Sequence, residues 1–313
     1  MAERLQVRVE SMTREAANVL SLELASPDGS SLPSFEPGSH VDLHLSNGLV
    51  RSYSLCGGHS GRYRLGIQKD RASRGGSLYV HDELRVGAVL EISSPRNNFP
   101  LHEDATHSVF IAGGIGITPI LSMLRRMQGL GRSVELIYAA RARDEVAFAS
   151  EIERLGIPVL WHINDEQGGP PDLESLLRGR APDAHYYACG PSAMLDSFEA
   201  LCAKLNRPNW HIERFAVQPR DDPPQADYTV RLARSGLKLD VRNDRSLLDV
   251  LLDAGMDVPY SCREGTCGTC KTAVLQGQPR HRDAVLTAQE RASGTLITPC
   301  VSGCAGSELV LDL

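Results

Sequence analysis

Apolar and polar residues change their period twice along this chain, dividing it into three blocks. Up to about residue 102 short runs alternate, as in His40-Val-Asp-Leu-His-Leu45 and Tyr63-Arg-Leu-Gly-Ile67, with Pro37-Gly38, Asn47-Gly48 and Gly57-Gly58 between them. Successive side chains of a strand face opposite ways, so this pattern predicts many short strands in an antiparallel barrel or sandwich. One short helix is expected over Ser77–Leu84. From His107 the period lengthens. Strands are expected at Val109–Ala112, Val134–Tyr138, Val159–Ile163 and Ala184–Ala188. Helices are expected at Pro119–Gln128, Glu145–Leu155, Asp172–Arg178 and Ser192–Leu205. Such alternation predicts a parallel sheet with helices on both faces. The last block returns to strands around one helix, Ser246–Ala254, and reads as a small α+β unit.

Pro219–Asp227 packs three prolines and three aspartates into nine residues, which can hold neither a helix nor a central strand. It is read as a linker. The expected organisation is therefore residues 1–102, 103–218, a linker at 219–227, and 228–313. A chain of 313 residues has room for three such domains at ~100–200 residues each.

Composition narrows the chemistry. Apolar residues are 42%, charged residues 23% and the net charge −6, the profile of a soluble globular protein. No apolar run approaches the ~20 residues of a membrane span, and MAERLQVRVE lacks a signal-peptide core, so a cytoplasmic protein with no membrane association is expected. A mildly acidic chain without a basic face argues against nucleic acid. Eight cysteines in a reducing compartment point to metal or redox chemistry rather than disulfides. Cys56, Cys189 and Cys202 are scattered, whereas Cys262, Cys267, Cys270, Cys300 and Cys304 crowd the last fifth.

Four of these cysteines have a ligand spacing. Cys262-x4-Cys267-x2-Cys270, then Cys300 after 29 intervening residues, is the plant-type pattern for a [2Fe–2S] cluster. Three thiolates on one loop can surround a cluster only if the backbone curls closely over it, and Gly265 and Gly268 permit that curl. A structural zinc site or unligated buried cysteines are the alternatives, but zinc sites usually pair two C-x2-C units and one is present here. Cys304 is surplus to the four ligands.

Two loops suggest a dinucleotide. Gly113-Gly-Ile-Gly-Ile-Thr-Pro119 follows a strand and opens a helix; it lacks the G-x-G-x-x-G order, yet glycines and free helix amides can still cradle a phosphate. A tight strand-to-helix turn is the competing reading. Cys189-Gly190-Pro191 ends the last expected strand, and ligands in open α/β sheets bind outside such carboxyl ends. In the barrel, Arg51-Ser-Tyr-Ser54 and Ser73-Arg-Gly-Gly-Ser77 pair an arginine with a glycine-flanked helix start, which suits a phosphate; each alone is also compatible with an ordinary strand or turn.

Together and in this order, with Glu213-Arg-Phe215, these motifs resemble the phthalate dioxygenase reductase family of the ferredoxin–NADP reductase superfamily, over essentially residues 1–313. The resemblance implies an antiparallel β-barrel flavin domain, an α/β parallel-sheet nicotinamide domain and an α+β, β-grasp [2Fe–2S] ferredoxin domain. It implies that Arg51 binds the FMN phosphate with Gly75, Gly76 and Ser77, that Tyr53 lines the flavin, and that Ser54 bonds near its N5. FMN is expected rather than the FAD of the broader superfamily. Gly113, Gly114, Gly116, Thr118, Gly190 and Pro191 would contact the nicotinamide cofactor. Cys189 would lie by its ring and, with Ser54, act in catalysis; Phe215 would lie near the flavin. Cys262, Cys267, Cys270 and Cys300 would hold the cluster. NADH is expected in preference to NADPH, although Arg141 and Arg143 could meet a 2′-phosphate.

Hydride arrives as two electrons and a [2Fe–2S] cluster takes one, so a flavin belongs between them. The expected function is the reductase component of a Rieske-type non-haem iron oxygenase, with that oxygenase as protein partner. The alternatives are a stand-alone NAD(P)H reductase of a small acceptor such as quinone or ferric chelate, and a non-enzymatic redox sensor.

Overall fold

The computed structural model describes residues 4–59, 61–70, 73–217 and 225–313. By its contacts the chain divides into two compact units, one ending at Glu213 and the other running from Arg214 to Leu313.

The first unit begins with β1 (Arg4–Ala16), β2 (Val19–Ala25), β3 (Ser39–His44), β4 (Val50–Gly57), β5 (Tyr63–Gln68), β6 (Val89–Ser93) and β7 (Arg96–Asn97). The sheet order is β4-β5-β2-β1-β6-β3-β7, and β3 also pairs with β4. That pairing closes six antiparallel strands into a barrel, which leaves no exposed edge among them. Leu43, Leu55 and Leu65 fill its interior and are fully buried; truncating one such leucine to alanine costs about 2–5 kcal/mol. The helix α1 (Gly76–Asp82) lies between β5 and β6 and buries Val80.

The same unit continues as an all-parallel sheet of β8 (His107–Gly113), β9 (Ser133–Ala140), β10 (Val159–Ile163), β11 (His185–Cys189) and β12 (Trp210–Glu213). Its order, β10-β9-β8-β11-β12, grows outward in both directions from β8. Between them run α2 (Ile117–Gly129), α3 (Ala149–Arg154), α4 (Asn164–Gln167), α5 (Leu173–Arg178) and α6 (Ser192–Lys204). One apolar cluster packs Ile120, Leu124 and Ile152 beneath Phe110 and Leu136; a second packs Leu177, Leu195 and Phe198 against Val109 and Ile111. Helices thus cover both faces, as parallel sheets require. A charged seam joins barrel and sheet: Arg64 of β5 bonds Glu151 of α3 at 2.6 Å and Glu15 of β1 at 2.6 Å, and Arg125 of α2 bonds both Glu151 and the Cys56 carbonyl.

Three local expectations are corrected here. The helix expected over Glu145–Leu155 is cut to α3, because Phe148 takes a left-handed conformation (φ 60°) and buries its ring, with Arg64 stacked 4.9 Å from the centroid. Packing overrides periodicity at that point. The strand β12 was not expected, being only four residues long. The tail holds two helices rather than one.

That tail contains β13 (Tyr228–Leu232), β14 (Lys238–Val241), α7 (Leu247–Asp253), β15 (Thr272–Gln276), β16 (Pro279–Arg280), α8 (Ala288–Ser293), β17 (Leu296–Ile297), β18 (Gly303–Cys304) and β19 (Glu308–Leu311). The mixed sheet β14-β13-β19-β15-β17 packs on Leu247, Leu248 and Leu251 of α7. Ser246 caps α7 by accepting from the Asp249 amide, and Thr287 with Glu290 forms a reciprocal capping box on α8. The linker expected at 219–227 lies mostly outside the described residues.

Candidate functional site

The parallel sheet reverses its winding between β8 and β11, and the crevice beyond the carboxyl ends of strands at such a reversal is where α/β sheets take ligands. The Gly113–Pro119 loop leaves β8 at that end and the Cys189–Pro191 loop leaves β11. Both expected nucleotide loops therefore meet. Their glycines make the meeting possible: a β carbon at Gly116 would stand 2.1 Å from the Cys189 carbonyl oxygen, and one at Gly113 would stand 2.6 Å from Pro191. A β carbon at Gly190 would stand 2.9 Å from the Gly113 Cα. Gly114 differs. It needs a positive φ of 53°, and its missing side chain faces open space. Thr118 is buried and donates its hydroxyl to the Ile115 carbonyl at 2.9 Å, so it shapes the turn from inside.

On the barrel side β4 carries Arg51, Tyr53 and Ser54. Arg51 donates to the Val50 and Arg74 carbonyls at 2.8 and 3.1 Å, and its stem would collide with a β carbon at Gly76. Gly75 precedes α1 at φ 91°. The Ser73 hydroxyl oxygen accepts from the Gly75 amide at 3.1 Å and lies 3.0 Å from the Ser77 hydroxyl. Arg51, Gly75, Gly76 and Ser77 are thus brought together, with an arginine stem lying where a residue-76 side chain would be. That arrangement fits a phosphate-bearing group. Tyr53 is half-buried at the edge of the barrel core.

Ser54 is buried and donates its hydroxyl to the Glu213 carboxyl. Glu213 ends β12 directly beside Cys189 of β11 in register. Its Oε2 is sealed from solvent without a hydrogen-bond partner. Burial raises its pKa to about 8, with the Ser54 bond acting the other way, so the carboxyl is protonated at neutral pH. Burial, then the Glu213 carboxylate, hold the Cys189 thiol well above its ordinary range. Across the β3–β4 pair His40 stands opposite Ser54, buried, both ring nitrogens unpartnered, with burial lowering its pKa to about 4. Unpartnered buried polar atoms around one serine fit a hydrogen-bonding group seated there. In the sequence Glu213 lies within the Glu213-Arg-Phe215 motif with no role of its own, and His40 reads only as a strand position. No local spacing ties either to Ser54; only the tertiary fold does. Phe215 is 42% exposed and belongs to the second unit.

In the second unit Cys262, Cys267, Cys270 and Cys300 are all buried. The sulfurs of Cys270 and Cys300 are 3.4 Å apart, and those of Cys262 and Cys267 are in hydrogen-bond contact. The Glu264 amide donates to the Cys262 sulfur at 3.3 Å. Gly265 and Gly268 take φ of 72° and 70°, and a β carbon at Gly265 would meet Val301 at 2.6 Å. A curled loop presenting thiols as two close pairs, with an amide aimed at sulfur, fits a two-iron group. Cys304 instead packs in the domain core and accepts from the Gly306 amide at 3.2 Å.

Comparison with known proteins agrees with this geometry. Residues 230–304 match the family described as "2Fe-2S iron-sulfur cluster binding domain", and residues 110–168 match "Oxidoreductase NAD-binding domain". The chain is 41% identical to phenoxybenzoate dioxygenase subunit beta of Ectopseudomonas oleovorans, over 99% of this chain and 97% of that protein. It is 41% identical to tetrachlorobenzoquinone reductase of Sphingobium chlorophenolicum (99% and 98%), and 38% identical to phthalate dioxygenase reductase of Burkholderia cepacia (99% and 97%). Among solved structures it resembles a phthalate dioxygenase reductase, with a TM-score of 0.73 and 38% identity over 99% of this chain and 98% of that one. It also matches part of an intact type IV self-sufficient cytochrome P450 monooxygenase, with a TM-score of 0.90 and 36% identity over 99% of this chain and 41% of that one.

Proposed function

The chain belongs to the phthalate dioxygenase reductase family, and we propose that it is the reductase component of a Rieske-type oxygenase system, passing electrons from NADH to the oxygenase. The observation that carries this reading is the set of four buried thiols in two close pairs, on a chain that also holds a dinucleotide crevice. A [2Fe–2S] centre passes electrons one at a time, which suits delivery to a one-electron protein acceptor.

FMN, when bound, converts a hydride into two single-electron transfers. Arg51, Gly75, Gly76 and Ser77 would hold its phosphate, Tyr53 would line the ring, and Ser54, fixed by Glu213, would bond near the reacting nitrogen. Gly113, Gly114, Gly116, Gly190 and Pro191 would hold NADH, with Thr118 setting the turn and Cys189 beside the nicotinamide ring. Phe215 would stand near the flavin. A protonated Glu213 and a protonated Cys189 keep the hydride-transfer site uncharged. Cys262, Cys267, Cys270 and Cys300 would ligate the cluster. Arg143 forks onto Glu166 at 2.8 and 2.6 Å, which neutralises a cation that a 2′-phosphate would require and favours NADH. We place the boundaries of the three functional parts at 102 and 218. Eight free cysteines suit a reducing compartment, so we assign the chain to the cytoplasm; no helix of the described residues is long and apolar enough to cross a membrane.

A second reading, reduction of a quinone by the chain alone, is favoured by the tetrachlorobenzoquinone reductase at 41% identity. The holoprotein, oxidising NADH anaerobically, separates the two. Fast single-turnover reduction of a purified Rieske oxygenase, with slow reduction of quinones, supports the oxygenase role. The opposite ranking overturns it. Absence of flavin and cluster absorption after reconstitution would refute both.

A further inference from the structure

Three histidines outside the redox machinery converge at the opposite end of the parallel sheet. His185 opens β11, roughly 13 Å along that strand from Cys189. His211 lies in β12 in register with Tyr187. Residues two apart on a strand share a face, so His185, Tyr187 and His211 form one surface. Their rings stack: Tyr187 on His211 at 4.6 Å and 19°, and His185 on His211 at 5.4 Å and 12°. His102 arrives from the segment between the barrel and β8. Its backbone amide donates to the Tyr187 hydroxyl at 2.9 Å, which pins that segment over the surface. The His102 ring then sits 4.9 Å from that of His185 and 4.8 Å from that of His211.

The nitrogens are placed as ligands are. His185 Nδ1 and His211 Nε2 are 3.2 Å apart in a hydrogen bond that a metal ion would replace, and one ring nitrogen from each of the three residues falls within 4.8 Å of the others. Two imidazoles bound tetrahedrally to zinc at ~2.0–2.1 Å hold their nitrogens roughly 3.3 Å apart. The first pair already has that separation. His102 is exposed, so rotation of its ring can close the remaining gap. Asp104, two residues on, acts electrostatically on both His185 and Tyr187 and supplies negative charge near the cluster. Imidazoles alone, with neither thiolate nor a row of carboxylates, select borderline transition-metal ions over magnesium or calcium.

We propose that His102, His185 and His211 form a site for one borderline divalent transition-metal ion, of which Zn(II) is the test case, with water in the fourth position. Such an ion would clasp the barrel-to-sheet connection onto β11 and β12. This site is independent of the cluster cysteines and of the cofactor crevice.

The test uses tag-free holoprotein, freed of loose metal by a chelator wash and titrated with Zn(II) by calorimetry while the visible spectrum is followed. One saturable site per chain is expected, with flavin and cluster absorption unchanged. His102→Ala, at an exposed position, should weaken binding at least tenfold; His211→Asn should do the same; His107→Ala, a histidine outside the cluster, should leave it unchanged. No saturable site, a His102→Ala variant of wild-type circular dichroism that binds zinc equally well, or cluster bleaching in step with zinc uptake would each overturn the proposal. If His211→Asn fails to fold, His102→Ala alone decides.

Discussion

The four-cysteine loop and the site around Ser54, the places proposed for the cluster and for hydride transfer, are built by opposite means. The loop is local: three cysteines within nine residues, two glycines at positive φ, and one distant thiol from residue 300. The hydride site is assembled from far apart. Ser54 comes from a barrel strand, Cys189 from an inner strand of the parallel sheet and Glu213 from its edge strand. Local architecture can fail without disturbing its surroundings. The assembled site depends on the barrel–sheet seam of Arg64, Arg125 and Glu151 staying closed.

Breaking the local half has the largest effect. Cys267→Ser should abolish cytochrome c reduction while NADH still reduces the flavin at its normal rate in stopped flow; equal loss of both would show that the two regions are not separable. The assembled half should respond to pH. Glu213 is held protonated in the folded chain until about pH 8, whereas the unfolded chain releases that proton near 4.5. The folded state therefore binds the extra proton between those values. Its stabilising contribution is fully present below about 4.5 and is lost as pH rises through about 8. Urea midpoints should show wild type losing on the order of 3–5 kcal/mol relative to Glu213→Gln between pH 4.5 and 8.5; parallel curves would contradict the buried-acid assignment.

A smaller effect tests the phosphate cradle. Arg51→Ala should weaken FMN retention by roughly 1.5–3 kcal/mol, read as a 10- to 150-fold rise in the FMN dissociation constant with the cluster spectrum unaltered. Smallest of all, Glu166→Gln releases Arg143 from an exposed, solvent-screened ion pair. It should improve kcat/KM for NADPH a few-fold and leave that for NADH unchanged.

The same contrast explains what could be read from the sequence. The four proposed cluster cysteines stand out in the sequence because three of them share one nine-residue stretch with a fixed spacing. The three sheet types followed from the period changes, and Gly113–Pro119 with Cys189–Pro191 followed from strand ends. Glu213 stands in the sequence only as part of a motif, and His40 only as one position of an alternating strand, because each meets Ser54 only after the sheets form. α8 escaped periodicity because it buries no residue, although its Thr287…Glu290 capping box was legible. Periodicity over 145–155 overstates the helix because nothing local announces that Phe148 turns inward.

The interlocked glycines of the two nucleotide loops carry a consequence for redesign. Positions 116 and 190 admit no side chain, since each would strike backbone of the opposite loop within 3 Å. Neither loop can be recut alone, and the pair behaves as a single part with one shape. Variation is funnelled to position 114, where space is open and the left-handed conformation suits asparagine best after glycine. A library aimed at changing cofactor selectivity should start at 114 and hold 113, 116 and 190 fixed.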